Sequence, residues 1–238
     1  MFATRSMRHA GVMTDSEPAD TLWSRGDRLK PGPRPAHTLE ELADACVGLA
    51  DEEGLAALSM RQVARRLGTA AASLYRYVDG KDDLGALMAD RVLVECDYPP
   101  LSGDLGADVL GTLEQSRALY KRHPWLGKID STNMGPNAIR YLDRMVGALA
   151  PAGLDSTATM MGVALLSGWV RTFAAQEMSG APTGAAAGQQ IAALMTRGDY
   201  PHLSALFGAG DAAVSPPDTD SVFRAGVEAL LFGIARAR

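Results

Sequence analysis

One segment of the sequence, LSMRQVARRLGTAAASLYRYVDGK at residues 58–81, combines the side-chain types that bind nucleic acid. It carries five basic side chains and one acidic side chain, together with serine and tyrosine hydroxyls. Guanidinium and ammonium groups bind phosphate oxygens, and arginine also binds the edge of guanine in the major groove. We therefore expect this segment to contact double-stranded DNA. Its cations are Arg61, Arg65, Arg66, Arg76 and Lys81.

The spacing within this segment predicts a helix-turn-helix. Ser59 and Gln62 have the separation of a capping box that begins a short helix, and a second short helix is expected over about residues 71–78. Ala64 is small enough for a steep helix crossing, and Gly68 tolerates the positive φ of a tight turn. The alternative is a plain helical hairpin with a solvated basic face. A helix of two turns would not persist there without a packed role.

Helical patterns continue along the rest of the chain, and no segment has the alternation of a strand. Thr38 and Glu41 form another capping box, which begins a helix ahead of the helix-turn-helix. Residues 1–37 are rich in Pro, Gly, Ser and charge, and we expect a flexible basic arm there. A small-residue linker, mobile or weakly helical, is expected at 179–190, and a loop is expected at 207–220. The remaining helices are predicted at about 80–97, 103–123, 136–150, 155–178, 189–197 and 219–235.

Composition favours a cytoplasmic protein without disulfide staples. The chain has 238 residues, is 47% apolar and carries a formal charge of −5. Its two cysteines, Cys46 and Cys96, lie in apolar helical patterns, as reduced core thiols do. The longest apolar stretch is too short to span a bilayer, so we expect no membrane contact. Positive charge is concentrated before residue 85, which matches a DNA-binding N-terminal part.

Two of the predicted helices have apolar residues on nearly every side. They lie at about 155–178 and 219–235. A helix that is apolar all round has to be buried all round. We expect the same two helices of a second subunit to cover them, which predicts a homodimer held by a four-helix bundle. The alternative is complete burial within one chain.

Large, soft side chains are frequent between residues 125 and 173, where they predict a site for a small hydrophobic effector. Methionine and aromatic groups line adaptable hydrophobic pockets, although such a stripe is also typical of an ordinary core. Both interpretations remain open from the sequence. The candidate effector-binding residues are Trp125, Tyr141, Met145, Met161, Leu165, Trp169, Phe173 and Gln176.

Catalysis is not indicated by any motif. The four histidines are scattered, and neither a Ser/His/Asp or Cys/His set nor a glycine-rich phosphate loop can be assembled. We therefore expect no enzymatic activity, no cofactor and no metal site. A competing hypothesis is a helical sensing protein that no longer binds DNA, because TAAAS at residues 69–73 offers few base-reading groups.

The motif LSMRQVARRLGTAAASLYRYVDGKDDL resembles the DNA-binding domain of the TetR family of bacterial transcriptional regulators over about residues 38–90. The segments ALYKRHPWL, GPNAIRYLDRMVGAL, GVALLSGWVRTFAAQE and FRAGVEALLFGIA resemble, more loosely, the tetracycline-repressor type of C-terminal domain. The resemblance implies an all-α protein: a three-helix helix-turn-helix DNA-binding domain at 38–84, then a larger helical ligand-binding and dimerisation domain at 85–238. It also implies a homodimeric repressor of a palindromic operator that a filled effector site releases.

The same resemblance implies roles for single residues. Ala71, Ala72 and Arg76 are expected to face base edges, with Arg76 the best candidate for guanine. Ser73, Tyr75, Tyr77 and Lys81 are expected to contact phosphate or sugar, although both tyrosines have packing as an alternative. Arg61 aligns with a contact position, and Thr38 and Ser59 are expected to approach the DNA backbone through helix N-termini. Whether the arm at 1–37 enters the minor groove stays open.

Overall fold

The computed structural model describes residues 22–25, 36–129, 134–179, 185–207 and 218–236, and all regular elements in these ranges are helical, which confirms the all-α prediction. We label the α-helices α1 to α11. They span Leu22–Arg25, Leu39–Glu53, Met60–Arg66, Ala71–Leu74, Lys81–Val92, Leu105–Arg122, Pro136–Leu149, Ser156–Met178, Ala185–Met195, Pro201–Phe207 and Thr219–Arg236. We call α2–α5 the head and α6–α11 the body.

The first helix of the head begins at the predicted capping box. The Thr38 hydroxyl accepts a hydrogen bond from the Glu41 amide at 3.1 Å, and the Glu41 carboxylate accepts one from the Thr38 amide at 3.0 Å. Two amides that have no partner within the helix are thereby satisfied. The helix then buries Leu42, Cys46 and Leu49. Burial raises the pKa of the Cys46 thiol to about 12, which fits a reduced core cysteine.

The helix-turn-helix consists of α3 and α4. Ser59 caps α3 by accepting from the Gln62 amide at 3.3 Å, and Gly68 makes the turn with φ 66°. The second helix is shorter than predicted, since regular α-helix ends at Leu74 and residues 75–77 continue as turns. Ala70 supplies no side-chain cap to α4. Four residues cannot support a free helix, so packing of Leu74, which is 1% exposed, holds this element in place.

Gly68 gives a direct test of the turn. Gly68→Ala is expected to destabilise the protein by about 1–2 kcal/mol, because a Cβ is disfavoured at positive φ. Nothing lies within 4 Å of the added methyl group, so the cost is conformational. Gly80→Ala is the matched control, because Gly80 is extended at φ 177° and equally uncrowded. Thermal unfolding should show a loss only for Gly68→Ala, and equal losses would contradict this interpretation.

Two clusters of buried side chains form the core. The first unites α1 and the head with Leu119 and Trp125 from the end of α6 and the turn after it. The second unites α6, α7, α8 and α11 around Met145, Leu166 and Phe223. The head is therefore packed against part of the body.

Polar contacts reinforce the junction between head and body. The His123 ring is buried. Its Nδ1 lies 2.9 Å from a carboxylate oxygen of Asp51 in α2, and its Nε2 lies 3.1 Å from one of Glu95, three residues after the end of α5. Trp125 donates its indole N–H to the same Asp51 at 2.6 Å. On the other side of α5, the buried Asp90 accepts three hydrogen bonds from the start of α7. Helix α5 thus packs against α2 within the head and is hydrogen-bonded to α7 of the body.

Residues expected to form only a flexible arm include one ordered turn. Leu22–Arg25 forms a single helical turn, and Leu22 is 3% exposed within the first core cluster. The sequence prediction missed this element because one turn is too short to show a period. The other arm residues, apart from 36 and 37, lie outside the described residues. A second unpredicted helix is α10, which occupies residues 201–207.

Among the described residues, no single helix has the length and apolar character needed to cross a membrane. Only the pair 136–152 and 156–178 meets those two criteria jointly, and it is bent by 118° at its break.

Candidate nucleic-acid interface and effector site

The head exposes a set of cations around the helix-turn-helix. Arg61 on α3, Arg76 after α4 and Lys81 at the start of α5 are all exposed. Within the described ranges none of the three forms an ion pair. Tyr75 is 58% exposed and Ala72 is exposed beside them. These groups are available to phosphate and base edges without first breaking a protein contact.

The hydroxyls predicted to approach the DNA backbone differ in availability. Thr38 and Ser59 are exposed and use their oxygens as acceptors in helix caps, which leaves each hydroxyl proton free to donate. Ser73 is half-buried and donates to the Ala70 carbonyl at 2.6 Å. Its proton is therefore committed to the turn. Ala71 is also half-buried, where it packs against the first core cluster.

Tyr77 does not lie with the exposed set. It is 8% exposed, and its hydroxyl donates to the His37 carbonyl at 2.9 Å. This placement favours the packing alternative over a phosphate contact, because the ring fastens the chain that precedes α2. Arg66 is likewise engaged, through two hydrogen bonds to Glu52 at 2.8 and 2.6 Å.

Four of the eight predicted effector residues lie together. Tyr141, Met145, Trp169 and Phe173 belong to or pack on the second core cluster between α7 and α8. The Trp169 and Phe173 ring centroids are 5.3 Å apart, and Phe173 also contacts Phe223 at 5.2 Å. We call the three rings of Trp169, Phe173 and Phe223 the aromatic cluster.

The other four predicted effector residues lie elsewhere. Trp125 is 3% exposed in the first core cluster and bound to Asp51. Met161 and Leu165 are 52% and 47% exposed on α8, and Gln176 is exposed near its end. Met161 and Leu165 lie on the same side of α8 as Trp169, at a spacing of four residues, so helical periodicity did not separate the exposed positions from the packed one.

Three further hydroxyl groups, of Tyr98, Tyr120 and Ser167, lie close to the predicted residue Tyr141. The Tyr141 hydroxyl lies 3.3 Å from that of Ser167, and Tyr98 and Tyr120 are its neighbours. Burial raises the pKa of all three tyrosines, so each is a neutral phenol that can donate and accept. Tyr98 and Tyr120, unlike Tyr141, were not predicted, because they lie outside the stretch of large, soft side chains at 125–173.

An open pocket of about 390 Å³ lies on another side of α6. Its charged groups are already paired: Asp108 accepts from the Ser102 hydroxyl and amide, Arg144 donates to the Pro99 carbonyl, and Glu114 pairs with an arginine of α11. The pocket therefore has less to offer a ligand than the aromatic cluster has. In the same described part of the chain, no group of three metal-ligating side chains is assembled.

An apolar surface runs along α8 and α11, and we call it the seam. Its exposed side chains include Met160 at 49%, Leu165 at 47% and Phe232 at 64%. Between the two helices is a groove of about 170 Å³, lined by Met161, Leu165, Leu230 and small residues. Side chains of this size are rarely exposed together on a monomeric protein.

Comparison with known proteins identifies both parts of the chain. Residues 38–86 match the family model for bacterial regulatory proteins of the tetR family, and residues 99–238 match that for the tetracyclin repressor-like C-terminal domain. The HTH-type transcriptional repressor DrrR1 of Streptomyces coeruleorubidus is 39% identical over 155 residues, which is 63% of this chain but only 57% of DrrR1.

Two further comparisons extend over most of the chain. An HTH-type transcriptional regulator of Saccharopolyspora erythraea is 30% identical over 222 residues, covering 90% of this chain and 91% of that protein. Apo ActR of Streptomyces coelicolor superposes with a TM-score of 0.71 at 30% identity over 86% of this chain and 97% of ActR. ActR is also known in complex with (S)-DNPA and with actinorhodin. With a helix-turn-helix head, an all-helical body and these matches, the chain belongs to the TetR family of bacterial transcriptional regulators.

Proposed function

We propose that this protein is a homodimeric repressor that binds a palindromic operator and is released from it by a small hydrophobic effector. The observation that carries the proposal is the pairing of unengaged cations on the head with the exposed seam on the body. The cations suit DNA, and the seam suits a second copy of the chain. A two-fold dimer presents two heads, as a palindromic site requires.

Arg76 is the residue we expect to read a base. Arg76→Ala should weaken operator binding about 10- to 100-fold for each half-site, in line with the about 1–3 kcal/mol that one bidentate arginine–guanine contact contributes. Arg65→Ala is the matched control, because Arg65 is also exposed on the head and its substitution removes the same charge. Gel-shift titration against the DNA upstream of the protein's own gene measures both variants.

The salt dependence separates the two kinds of contact. Lys81→Ala should reduce the slope of log affinity against log salt by about two, because the dimer loses one phosphate contact in each half-site. Equal losses for Arg76→Ala and Arg65→Ala would contradict base reading by Arg76. Absence of binding by the unaltered dimer to any DNA would instead favour the competing hypothesis, a helical sensor without an operator.

The effector that best suits the body is aromatic and carries acceptor oxygens. The aromatic cluster offers ring faces, and its buried Trp169 indole N–H has no acceptor among the described residues. The buried Tyr98 hydroxyl lies near Cys96 and Ser116 but forms no hydrogen bond of standard geometry with a described residue. Each such donor costs about 1–3 kcal/mol until an acceptor reaches it. ActR binds actinorhodin, and we propose a ligand of similar size and polarity for this chain.

Tyr98→Phe tests the effector site. With actinorhodin as the probe, the variant should need about threefold to tenfold more ligand for release from the operator, because one net hydrogen bond is lost. Its thermal stability should stay level or rise, because the removed hydroxyl forms no hydrogen bond of standard geometry in the described structure. Tyr200→Phe is the control, since Tyr200 is 44% exposed outside the cluster. If Tyr98→Phe is released from the operator at the same ligand concentration as the unaltered protein, the effector does not bind at Tyr98.

A further inference from the structure

The single helical turn at Leu22–Arg25 is held by contacts far along the chain. Leu22 is 3% exposed in the first core cluster, and the Trp23 ring packs against the same cluster. Four residues do not form a stable helix alone, so these contacts order the turn. No DNA contact is needed to explain its position.

Trp23 lies over the contact between α5 and α7. A Cβ placed on Gly135 would be 2.4 Å from the Trp23 ring and 2.3 Å from the Asp90 carboxyl carbon, so ring and carboxyl both close on the same point. Beneath the ring, Asp90 accepts hydrogen bonds from the Asn137 amide at 2.9 Å, the Asn137 side chain at 2.8 Å and the Ala138 amide at 2.9 Å. The turn therefore covers the place where α5 is fastened to the start of α7.

The position of α5 matters because Lys81, its first residue, follows the helix-turn-helix directly. Contacts that hold α5 against α7, such as those of Asp90, stabilise this placement of the head and oppose a shift of α5. We propose that residues 22–25 are a clasp, supplied by the N-terminal segment, that holds α5 against α7 and raises the effector concentration needed to release the operator. This inference rests on the proposed function for its readout on DNA.

The contacts of the clasp are weak enough to open. Among its described side chains, Leu22 is buried and Trp23 is half-buried, and the Trp23 indole N–H has no acceptor in the described part of the structure. An unsatisfied buried donor opposes docking of the ring. The clasp therefore biases the position of α5 without locking it, as a modulator of a two-state equilibrium must.

Two full proteins and one truncated protein test the clasp. In Leu22→Ser/Trp23→Ser the clasp is undocked, whereas Arg25 and the other cations remain. The control lacks residues 2–20 and keeps the turn. With actinorhodin as the probe, the double variant should reach half-release of the operator at a concentration about threefold to tenfold lower than the unaltered protein, the size expected for a residue that modulates coupling. The control should match the unaltered protein.

A second measurement needs neither DNA nor effector. Hydrogen exchange of peptides covering residues 134–142 should be faster in the double variant, while exchange over α8 stays the same. Unchanged exchange at 134–142, or a half-release concentration that is equal or higher, would overturn the clasp. If the unaltered protein binds no operator, the proposed function fails, and the exchange result still decides whether the turn fastens α5 to α7.

Discussion

Leu165→Arg is expected to dissociate the dimer and to weaken operator binding at least about 100-fold, because an unpaired buried charge costs about 3–5 kcal/mol and the two-fold seam would contain two of them. Leu165 is 47% exposed on the single chain, so the variant should still fold. Light scattering coupled to size exclusion measures the mass, and gel shift measures the affinity. Loss of the dimer removes one of the two heads from the operator.

Ile139→Arg is the matched control for this prediction. Ile139 is 51% exposed on α7, away from the seam, so the same change in charge and size occurs without a predicted interface. It should remain dimeric. A Leu165→Arg protein that stays dimeric would show that α8 and α11 are not the dimer contact, and the operator geometry proposed above would have to change with it.

Arg117→Met is expected to destabilise the protein by about 3–5 kcal/mol, because it leaves a buried carboxylate short of its main partner. Arg117 is 7% exposed and donates to Glu177, whose side chain is 14% exposed. The guanidinium also lies 4.7 Å from the Phe223 ring centroid and pairs with Asp220. Lys121, at 3.1 Å from Glu177, remains in the variant and should hold the loss near the lower figure.

The surface supplies a control for this ion pair. Arg224 pairs with Glu114 at 2.7 Å, with side chains 56% and 40% exposed. Arg224→Met should therefore cost less than about 1 kcal/mol. Denaturant unfolding compares the two variants at neutral pH. Similar losses would contradict the buried character of the Arg117 pair.

The same pair sets a pH dependence. Hydrogen bonds from Arg117, and then from Lys121, hold the pKa of Glu177 below its usual value despite burial. The pair therefore contributes its full stability above the unfolded pKa of glutamate, about 4.3, and loses it as the pH falls through the lower folded pKa. Arg117→Met/Glu177→Gln should show a flatter decline in unfolding free energy below about pH 5 than the unaltered protein.

The head was largely predictable because its signals are local. Thr38 with Glu41, Ser59 with Gln62 and the positive φ of Gly68 each depend on residues a few positions apart, and the structure has all three. The length of the second helix was not predictable in the same way. Tyr77, in the turns that follow α4, is buried and donates to the carbonyl of His37, forty residues earlier, and such a long-range contact has no local signal.

The effector residues were only partly predictable because an apolar pattern reports burial without naming the partner. Trp125 has the same character as Trp169, yet a hydrogen bond to Asp51 in the head places it in a different core cluster. Met161, Leu165 and Trp169 lie four residues apart along one side of α8, yet Met161 and Leu165 are exposed whereas Trp169 packs on the second core cluster. Long-range contacts determine which apolar side chains are buried and in which core cluster, and local spacing in the sequence does not encode those contacts.

The inclusion of Leu119 and Trp125 in the first core cluster bears on how the protein can be divided. A fragment that ends with the helix-turn-helix would lose the Leu119 and Trp125 side chains from the core of the head, together with the hydrogen bond between His123 and Asp51. A DNA-binding fragment therefore needs residues to about 129 to keep the core of the head complete, and heating should melt both parts of the intact chain in one cooperative step.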